Sequence, residues 1–488
     1  AAPRAPRAPH APRRVPPPRP VRAAAPPTSL PAPQRQPAAM ERLMSYLRAN
    51  RERVQTNMAG GAAPPSPEQL GHFMQQMCAD INGILGVAPG KRPGAPASVI
   101  RIVRKNMNAI RWDMGRNRAS CSTPPLTPEA LETFLVSSIA DLENWSPPVA
   151  VGDGETGNLT AAAARLWDLD VHRCTPRGGG SHGDYSLSLQ RYTRPGDTSD
   201  HTREPLFTEV EEGALQRSTY ARFVALLDNY KRQVGLSEAV TPQQRAEEVA
   251  FLEAVMDTAV GQYAHAWLAA SRKAPPTREA FIHTLQELWF TRYRREAAND
   301  SSAFEHTFVG ESKEGHIVGL HNWVQLYLEE RKGALNYHGY IRPRGASGYR
   351  TSHENEQLLS LQFSWDGEVK PVSTSFIGTS PEFEIMLYSM CFLAGHEKNT
   401  VQVGPYRVEV VVYPFRAHGA TYIGTAYPSE APMNENEAAT RIQAVHRGRN
   451  TRAKGAEAAS REAHERRARQ QSATRIQSNY RGSRQRRS

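Results

Sequence analysis

The chain has 488 residues, enough for several domains, but its 39% hydrophobic content is low for a chain that is packed throughout. Its formal charge of +11 is unevenly distributed: residues 1–38 carry seven arginines and no acidic residue, and residues 441–488 carry fourteen Lys/Arg against three Glu. Residues 39–440 therefore carry a net charge of −7. Bulk charge attraction to nucleic acid is excluded for that central part, where such binding needs a local basic groove, the tails or a metal.

Cysteine content and hydropathy indicate the compartment. Four widely spaced cysteines without a CxxC pair indicate free thiols in a reducing compartment and exclude a local cysteine zinc motif. No apolar run approaches the ~20 residues that span a bilayer, and no apolar core of a secretory signal lies near the first residue. We therefore expect an intracellular protein, cytoplasmic or nuclear, with no membrane segment. Organelle transit stays open because residues 1–38 are arginine-rich, although thirteen prolines oppose an amphipathic transit helix.

The first 150 residues divide into an arm and a helical region. Residues 1–38 are rich in Pro, Ala and Arg and are predicted to be a disordered arm, serving either as a plain linker or as a binding arm. Residues 39–150 predict a small helical region to which the sequence assigns no role. Ser66 before Pro67 and the Thr127-Pro128 pair are helix-start signals. The predicted helices cover 40–57, 67–85, 98–114 and 127–145.

The central region predicts an α+β domain over residues 159–428. Its first half has helical periodicity, and after residue 304 the texture changes to short β-branched and aromatic runs. Helices followed by strands favour the α+β class, with the strand-rich half carrying the site. The predicted helices cover 219–234, 242–268 and 277–295, and the predicted strands cover 316–318, 358–365, 401–412 and 421–427.

Two histidines and a lysine lie in conspicuous motifs of the strand-rich half. His306 lies in FEHTFVGE, His321 in GLHNW and Lys370 in FSWDGEVKPV. Imidazoles exchange protons near neutral pH because their unperturbed pKa is about 6.5, and a lysine can neutralise a developing oxyanion. A base, an acid and a cation are the groups needed to cleave RNA through its own 2′-hydroxyl.

These motifs resemble the EndoU family of endoribonucleases, in particular its poly(U)-specific, XendoU-like members. The resemblance covers roughly residues 159–428 and extends to LWDLD, LLDNY, FIGTSPEFE and IGTAYP. It implies an enzyme that cuts single-stranded RNA at uridylates and leaves 2′,3′-cyclic phosphate and 5′-hydroxyl ends. By the family pattern His321 is the general base, His306 the general acid and Lys370 the electrostatic catalyst.

The resemblance also implies a nucleotide site and a metal effect. Thr425 and Tyr427 match positions associated with uridine recognition, and the alternative is a plain edge strand. Glu305 and Glu311 match carboxylates linked to activity in metal-stimulated members. We therefore expect stimulation by Mn²⁺ with these two carboxylates as the metal-associated residues. The alternative is that they only orient His306.

A linker over residues 429–440 leads to a basic tail, residues 441–488, that fits the pattern IQxxxRGxxxR twice, 34 residues apart. Both matches resemble IQ motifs, the helical segments bound by calmodulin and related EF-hand proteins. Apolar anchors and arginines suit an acidic partner with a hydrophobic groove, whereas the alternative is a basic helix that holds RNA. The matching residues are Ile442, Gln443, Arg447, Gly448, Arg452, Ile476, Gln477, Arg481, Gly482 and Arg486.

Three functions are thus weighed for one chain. The first is a uridylate-specific endoribonuclease, expected to be monomeric and regulated through calmodulin. The second is a non-catalytic RNA-binding protein, and the third is a calmodulin-binding scaffold, both on an EndoU fold. A serine or cysteine hydrolase finds no support in the sequence, because no nucleophile motif accompanies the histidines.

Overall fold

The structure, a computed structural model, describes residues 38–59, 64–87, 95–120, 126–177, 183–345, 348–349 and 352–431. Helices dominate before residue 300 and strands after it, so the predicted α+β class is confirmed. The two IQ-like matches and most of the linker lie outside the described residues. No helix among the described residues is long and apolar enough to cross a membrane.

The helical region contains four helices and a short hairpin. Ser66 forms a full capping box with Gln69, and Thr127 caps its helix through the Ala130 N–H, as the start signals predicted. The third helix ends at Ala109 rather than at residue 114, because the chain turns into the hairpin. The elements are α1 (Ala38–Ala59), α2 (Pro67–Leu85), α3 (Ala97–Ala109), β1 (Trp112–Asp113), β2 (Arg118–Ala119) and α4 (Pro128–Asn144).

This helical region has its own hydrophobic core and contacts the following helices through polar groups. Arg101 Nη2 lies 2.5 Å from Asp257 Oδ1. The buried Asn144 Nδ2 donates to the Ala254 carbonyl at 2.8 Å. Buried polar groups that are paired in this way stabilise one mutual arrangement, because each would be costly to leave without a partner.

In the helical half of the main domain, each of the three predicted helical runs differs from the observed helices. The run over 219–234 stops at Asn229, and the run over 242–268 divides at Thr258, whose hydroxyl caps the next helix through the Gly261 N–H. The run over 277–295 ends at Phe290. The helices are α5 (Leu159–Leu169), α6 (Glu212–Leu215), α7 (Ser218–Leu226) with a 3₁₀ turn (Leu227–Asn229), α8 (Pro242–Asp257), α9 (Ala259–Ala270) and α10 (Arg278–Phe290).

Short strands and one more helix precede the main sheets. The strands are β3 (Tyr185–Leu187), β4 (Tyr192–Thr193), β5 (Phe207–Val210), β6 (Glu311–Lys313) and β7 (His316–Val318). Helix α11 (Trp323–Arg331) follows the β6–β7 hairpin, and its N-cap Asn322 accepts from the Val324 and Gln325 N–H groups.

The remaining strands of the described residues, together with β4, form two larger sheets and one short separate pair. Their bounds are β8 (Leu335–Ile341), β9 (Arg344–Gly345), β10 (Gly348–Tyr349), β11 (Leu358–Trp365), β12 (Glu368–Phe376), β13 (Lys398–Val403), β14 (Tyr406–Ala417) and β15 (Ala420–Glu430). The first sheet has the order β12-β11-β8-β4, the second is the meander β13-β14-β15, and β9 and β10 pair with each other. The sequence prediction missed β8 and β12 and merged β13 with β14.

A buried helix, α12 (Pro381–Ala394), contacts α5, α9 and β14 and so joins the helical half to the meander. Strand β12 contacts both β7 and β15. Strand β12, at the edge of the first sheet, therefore lies between the β6–β7 hairpin and β15, the last strand of the meander.

Candidate active site

His306 lies on a wide π-helical turn, Glu305–Val309, of the kind that is enriched at functional sites. The residue is 9% exposed, and its Nδ1 lies 2.6 Å from Glu311 Oε2. Because a carboxylate can only accept, Nδ1 carries the hydrogen and Nε2 is left for a ligand. The fully buried Glu311, the first residue of β6, thus fixes both the tautomer and the ring orientation of His306.

The segment leading to His321 crosses directly over the His306 turn. The Leu320 N–H donates to the His306 carbonyl at 3.1 Å, and the His321 N–H donates to the Thr307 carbonyl at 2.9 Å. Gly319 has a φ of +67°, and a Cβ there would lie 1.6 Å from the His306 carbonyl oxygen. Leu320 also has a positive φ, +59°, a strained conformation that persists only when the surrounding contacts hold it.

The His321 ring is held by the first sheet and by the meander. Its Nδ1 lies 3.1 Å from the Thr374 carbonyl and 3.2 Å from Ser373 Oγ, which itself donates to the Leu320 carbonyl. The ring of Tyr427 stacks on it, with centroids 4.8 Å apart. The Nδ1–H therefore points at a backbone carbonyl, and Nε2 remains for a ligand, as in His306.

A bulge in β12 places Lys370 on this side of the sheet. Phe363 pairs with Lys370 and Leu361 pairs with Ser373, so two residues, Pro371 and Val372, oppose Gln362 alone. The extra residue reverses the alternation of side chains. Lys370 and Ser373 consequently share a face, whereas strict alternation would separate them.

The Lys370 ammonium carries an uncompensated charge. Its Nζ donates to the Ile317 carbonyl at 3.3 Å, and no carboxylate of the described residues forms an ion pair with it. The side chain is 7% exposed, and this burial lowers the pKa of Lys370 to about 8. A buried cation without a counter-ion favours an anionic ligand.

The two histidines differ in their affinity for a proton. Burial lowers the pKa of His306, and the Glu311 hydrogen bond opposes that effect. Burial, Lys370 and His306 hold the pKa of His321 well below its usual value, and only the backbone carbonyl of Thr374 opposes them. His321 is therefore the histidine that stays neutral more readily and is available as a base, whereas His306 retains a proton more readily.

Glu305, predicted as metal-associated, is buried beside Glu311. Neither of its carboxyl oxygens has a hydrogen-bond partner among the described residues. Burial, together with the charges of Glu311 and Glu238, raises the pKa of Glu305 to about 9. At neutral pH Glu305 consequently holds a proton and is a poor ligand for a cation.

The residues do not fit a resident Mn²⁺ site. Glu311 is engaged by His306 and lies 3.8 Å from Arg295 Nε. No group of three or more His, Cys, Asp or Glu side chains suited to a metal occurs in the part of the chain that the structure describes. An oxygen-preferring divalent ion ordinarily takes more protein ligands than one unengaged, protonated carboxyl.

Thr425 and Tyr427 lie on β15, beside His321. The Ala426 N–H between them donates to Thr307 Oγ1 at 3.2 Å, which ties the strand to the His306 turn. Tyr427 is half-buried under its stacking contact with His321, and the side chain of Thr425 is partly exposed. The structure thus brings the predicted histidines, lysine, threonine, tyrosine and glutamates to one place.

Sequence reasoning missed several residues that build the site. Ser373 holds the His321 segment, and Arg295 Nη2 donates to the Gly424 carbonyl at 2.5 Å, beside Thr425. Pro371 inside a strand was an available signal for the bulge. Two other histidines of this half are not part of the cluster: His316 is exposed, and His338 Nε2 lies 3.0 Å from Ser364 Oγ.

Comparisons with known proteins find similar sequences. The chain is 44% identical over 287 residues to the "Poly(U)-specific endoribonuclease" of Xenopus tropicalis, covering 56% of this chain and 94% of that protein. It is 38% identical over 253 residues to the "Uridylate-specific endoribonuclease" of Homo sapiens, covering 50% of this chain and 60% of that protein. A solved structure described as "The structure of XendoU: a splicing independent snoRNA processing endoribonuclease" is 41% identical in sequence. The match covers 57% of this chain and 98% of that chain, with a TM-score of 0.49.

A family model described as "Endoribonuclease XendoU" matches residues 158–428, more than half of the chain. That range contains the His306 turn, the His321 segment, the β12 bulge and the aromatic end of β15. The chain therefore belongs to the XendoU endoribonuclease family, a family of nucleases.

Proposed function

We propose that this protein cleaves single-stranded RNA at uridylates by attack of the uridine 2′-hydroxyl on the adjacent phosphorus. The products carry 2′,3′-cyclic phosphate and 5′-hydroxyl ends. The observation that carries the proposal is the convergence of His306, His321 and Lys370, where no described residue engages either Nε2 atom or forms an ion pair with the lysine. The relatives' names, poly(U)-specific and uridylate-specific endoribonuclease, support the choice of base.

The histidine environments support His321 as base and His306 as acid. His321 Nε2 takes the 2′ proton as O2′ bonds to phosphorus, and His306 Nε2 gives a proton to O5′ as the P–O5′ bond breaks. The base needs the lower pKa and the acid the higher one. Glu311 supports the imidazolium of His306, whereas Lys370 and His306 oppose a charge on His321.

Lys370 stabilises the charge that grows on the non-bridging phosphate oxygens. A buried ammonium acts in a low local dielectric, where its attraction for an anion exceeds the attraction in water. Burial lowers the pKa of Lys370 to about 8, which is still above neutral pH, so Lys370 remains mostly charged there. A bound phosphate raises that pKa further, since it supplies the missing negative charge.

Uridine is selected by Thr425 and Tyr427. The Thr425 hydroxyl has no hydrogen-bond partner within the described ranges and can pair with a uracil edge. Tyr427 is fixed against His321. Its ring packs against the sugar or base so that the 2′-hydroxyl lies at the general base.

The IQ-like matches add a second candidate property, calmodulin binding, with a link between calcium and cleavage. It is supported by the residue pattern of two full matches in one tail. The test compares cleavage kinetics with and without calmodulin at low and high Ca²⁺. Unchanged kinetics together with no complex on gel filtration would remove it, and a complex without a kinetic effect would favour the scaffold.

Manganese stimulation stays a prediction, and no step of the proposed reaction runs through a metal. The base, acid and cation are all supplied by side chains, so we expect cleavage in the presence of a chelator. Mn²⁺ is then expected to change the rate without changing the products.

The deciding experiment is cleavage of an RNA oligonucleotide with a single uridine, with Mn²⁺ and with a chelator, analysed by mass. The expected product is a cyclic phosphate on that uridine, and its 2′-deoxy analogue should remain intact. His306→Ala should bind the RNA without cutting it. Folded wild-type protein that binds the RNA but never cuts it would refute the proposal in favour of a non-catalytic RNA-binding protein.

A further inference from the structure

An exposed aromatic side chain lies beside the proposed uridine site and has no role in the reaction described above. Tyr413, on β14, is 36% exposed and is among the few large apolar side chains of the described residues that face solvent. It pairs across the meander with Thr425. Residues directly opposite in an antiparallel pair project from the same face of the sheet.

The register extends this face to Tyr427. Val411 pairs with Tyr427 and Tyr413 with Thr425, so Tyr413 and Tyr427 are diagonal neighbours. Diagonal neighbours lie within reach of each other when the side chains are aromatic. Burial raises the pKa of Tyr427, and the neighbouring Tyr413 raises it further, as expected for two phenols in proximity.

The fold itself makes little use of the Tyr413 ring. The core face of this strand is formed by Val408, Val410 and Val412, which are at most 2% exposed. The Tyr413 hydroxyl has no hydrogen-bond partner in the portion of the chain that the structure describes, and its ring has no aromatic partner there. Phe415, two residues further, instead stacks on Tyr293 with centroids 4.3 Å apart.

The charged groups of β14 leave the surface around Tyr413 close to neutral. At the Val411 end lies Glu409, whose carboxylate is 3.7 Å from Lys398 Nζ and partly exposed. At the other end this face continues to Phe415, because Arg416 projects from the opposite face of β14. The lysine offsets the charge of the glutamate, so the exposed ring of Tyr413 is the feature of this face that a neighbouring nucleotide can contact.

We propose that Tyr413 stacks on the base of a nucleotide next to the scissile uridine, which makes the site a two-base site. This inference rests on the proposed function, because it takes Thr425 and Tyr427 as the uridine site. Stacking tolerates any base, since every base offers a π face. Tyr413 therefore adds affinity for a strand of at least two nucleotides and adds little selection for uridine itself.

The test uses oligonucleotides with one uridine flanked by adenines, and matched versions in which one flanking nucleotide lacks its base. On the complete oligonucleotide, Tyr413→Ala should lower kcat/KM about tenfold through KM, as expected for loss of one stacked base, while Tyr413→Phe should keep it. The Tyr413→Ala deficit should disappear when one of the two flanking bases is removed. The flanking position at which removal of the base abolishes the deficit is the position of the nucleotide that stacks on Tyr413.

The matched control is Tyr192→Ala, which removes a 46% exposed tyrosine from the opposite edge of the first sheet. It should leave kcat/KM unchanged on every oligonucleotide. Equal losses for Tyr413→Ala on complete and base-free oligonucleotides would overturn the stacking role, and so would no loss at all while the wild type cuts at uridine.

A separate outcome would concern only the proposed reaction. If the wild type does not cut, the same oligonucleotides are used in fluorescence anisotropy, where Tyr413→Ala should weaken binding about tenfold and only when the neighbouring base is present. Equal binding by wild type and Tyr413→Ala would overturn the two-base site independently of cleavage.

Discussion

Replacing Glu311 by Gln tests the electrostatic basis of general acid catalysis. Gln keeps an oxygen that accepts from His306 Nδ1–H but removes the charge that supports the imidazolium. A hydrogen bond to a charged group contributes about 1.5–3 kcal/mol, and one pKa unit corresponds to about 1.4 kcal/mol. The pKa of His306 should therefore fall by about one to two units.

The sign of the effect follows from the role of His306. Its imidazolium donates a proton to O5′, so kcat/KM declines as pH rises above the pKa of His306. In Glu311→Gln that decline should begin at lower pH, and kcat/KM at pH 7 should fall by about 10- to 100-fold. Glu305 moderates the change, because loss of the Glu311 charge lets Glu305 ionise more readily.

The assay is a pH profile of kcat/KM on the single-uridine oligonucleotide. The matched control is Glu305→Gln, which should leave the profile nearly unchanged because Glu305, with a pKa of about 9, is already neutral at pH 7. A uniform loss in Glu311→Gln at every pH, without displacement of the alkaline limb, would refute this reasoning. A large loss in Glu305→Gln would show instead that Glu305 acts in its charged form.

Three further predictions concern the lysine, the crossing segment and the docking of the helical region. Above pH 8 the decline of kcat/KM should steepen as Lys370 loses its charge, and Lys370→Arg, if active, should remove the extra steepness. Gly319→Ala should lower kcat about 100-fold or more through displacement of His321. Its control is Gly315→Ala, in the open turn of the neighbouring β6–β7 hairpin, which should keep activity. Asn144→Ala should lower the free energy of unfolding by about 1–3 kcal/mol in chemical denaturation, with unchanged kcat, because it breaks a buried hydrogen bond; unchanged stability would show that this bond contributes little to docking.

The local sequence determined those features whose physical causes are local. Ser66 and Thr127 mark helix starts because a side-chain oxygen followed by proline satisfies the first backbone N–H groups. The change from helical to β-branched periodicity indicated the α+β class. The histidine and lysine motifs were identifiable as sequence, although their catalytic roles stay predictions.

Tertiary contacts decided how these residues meet. Periodicity runs through Thr258 without a break, yet the helix divides there because its hydroxyl caps the helix that follows. Alternation assigns Lys370 and Ser373 to opposite faces, and only the bulge against Gln362 unites them. Tyr413 joins the site through a partner twelve residues away in the meander. Register, bulges and the histidine environments depend on pairings between distant segments, and no local pattern of residue types encodes those pairings.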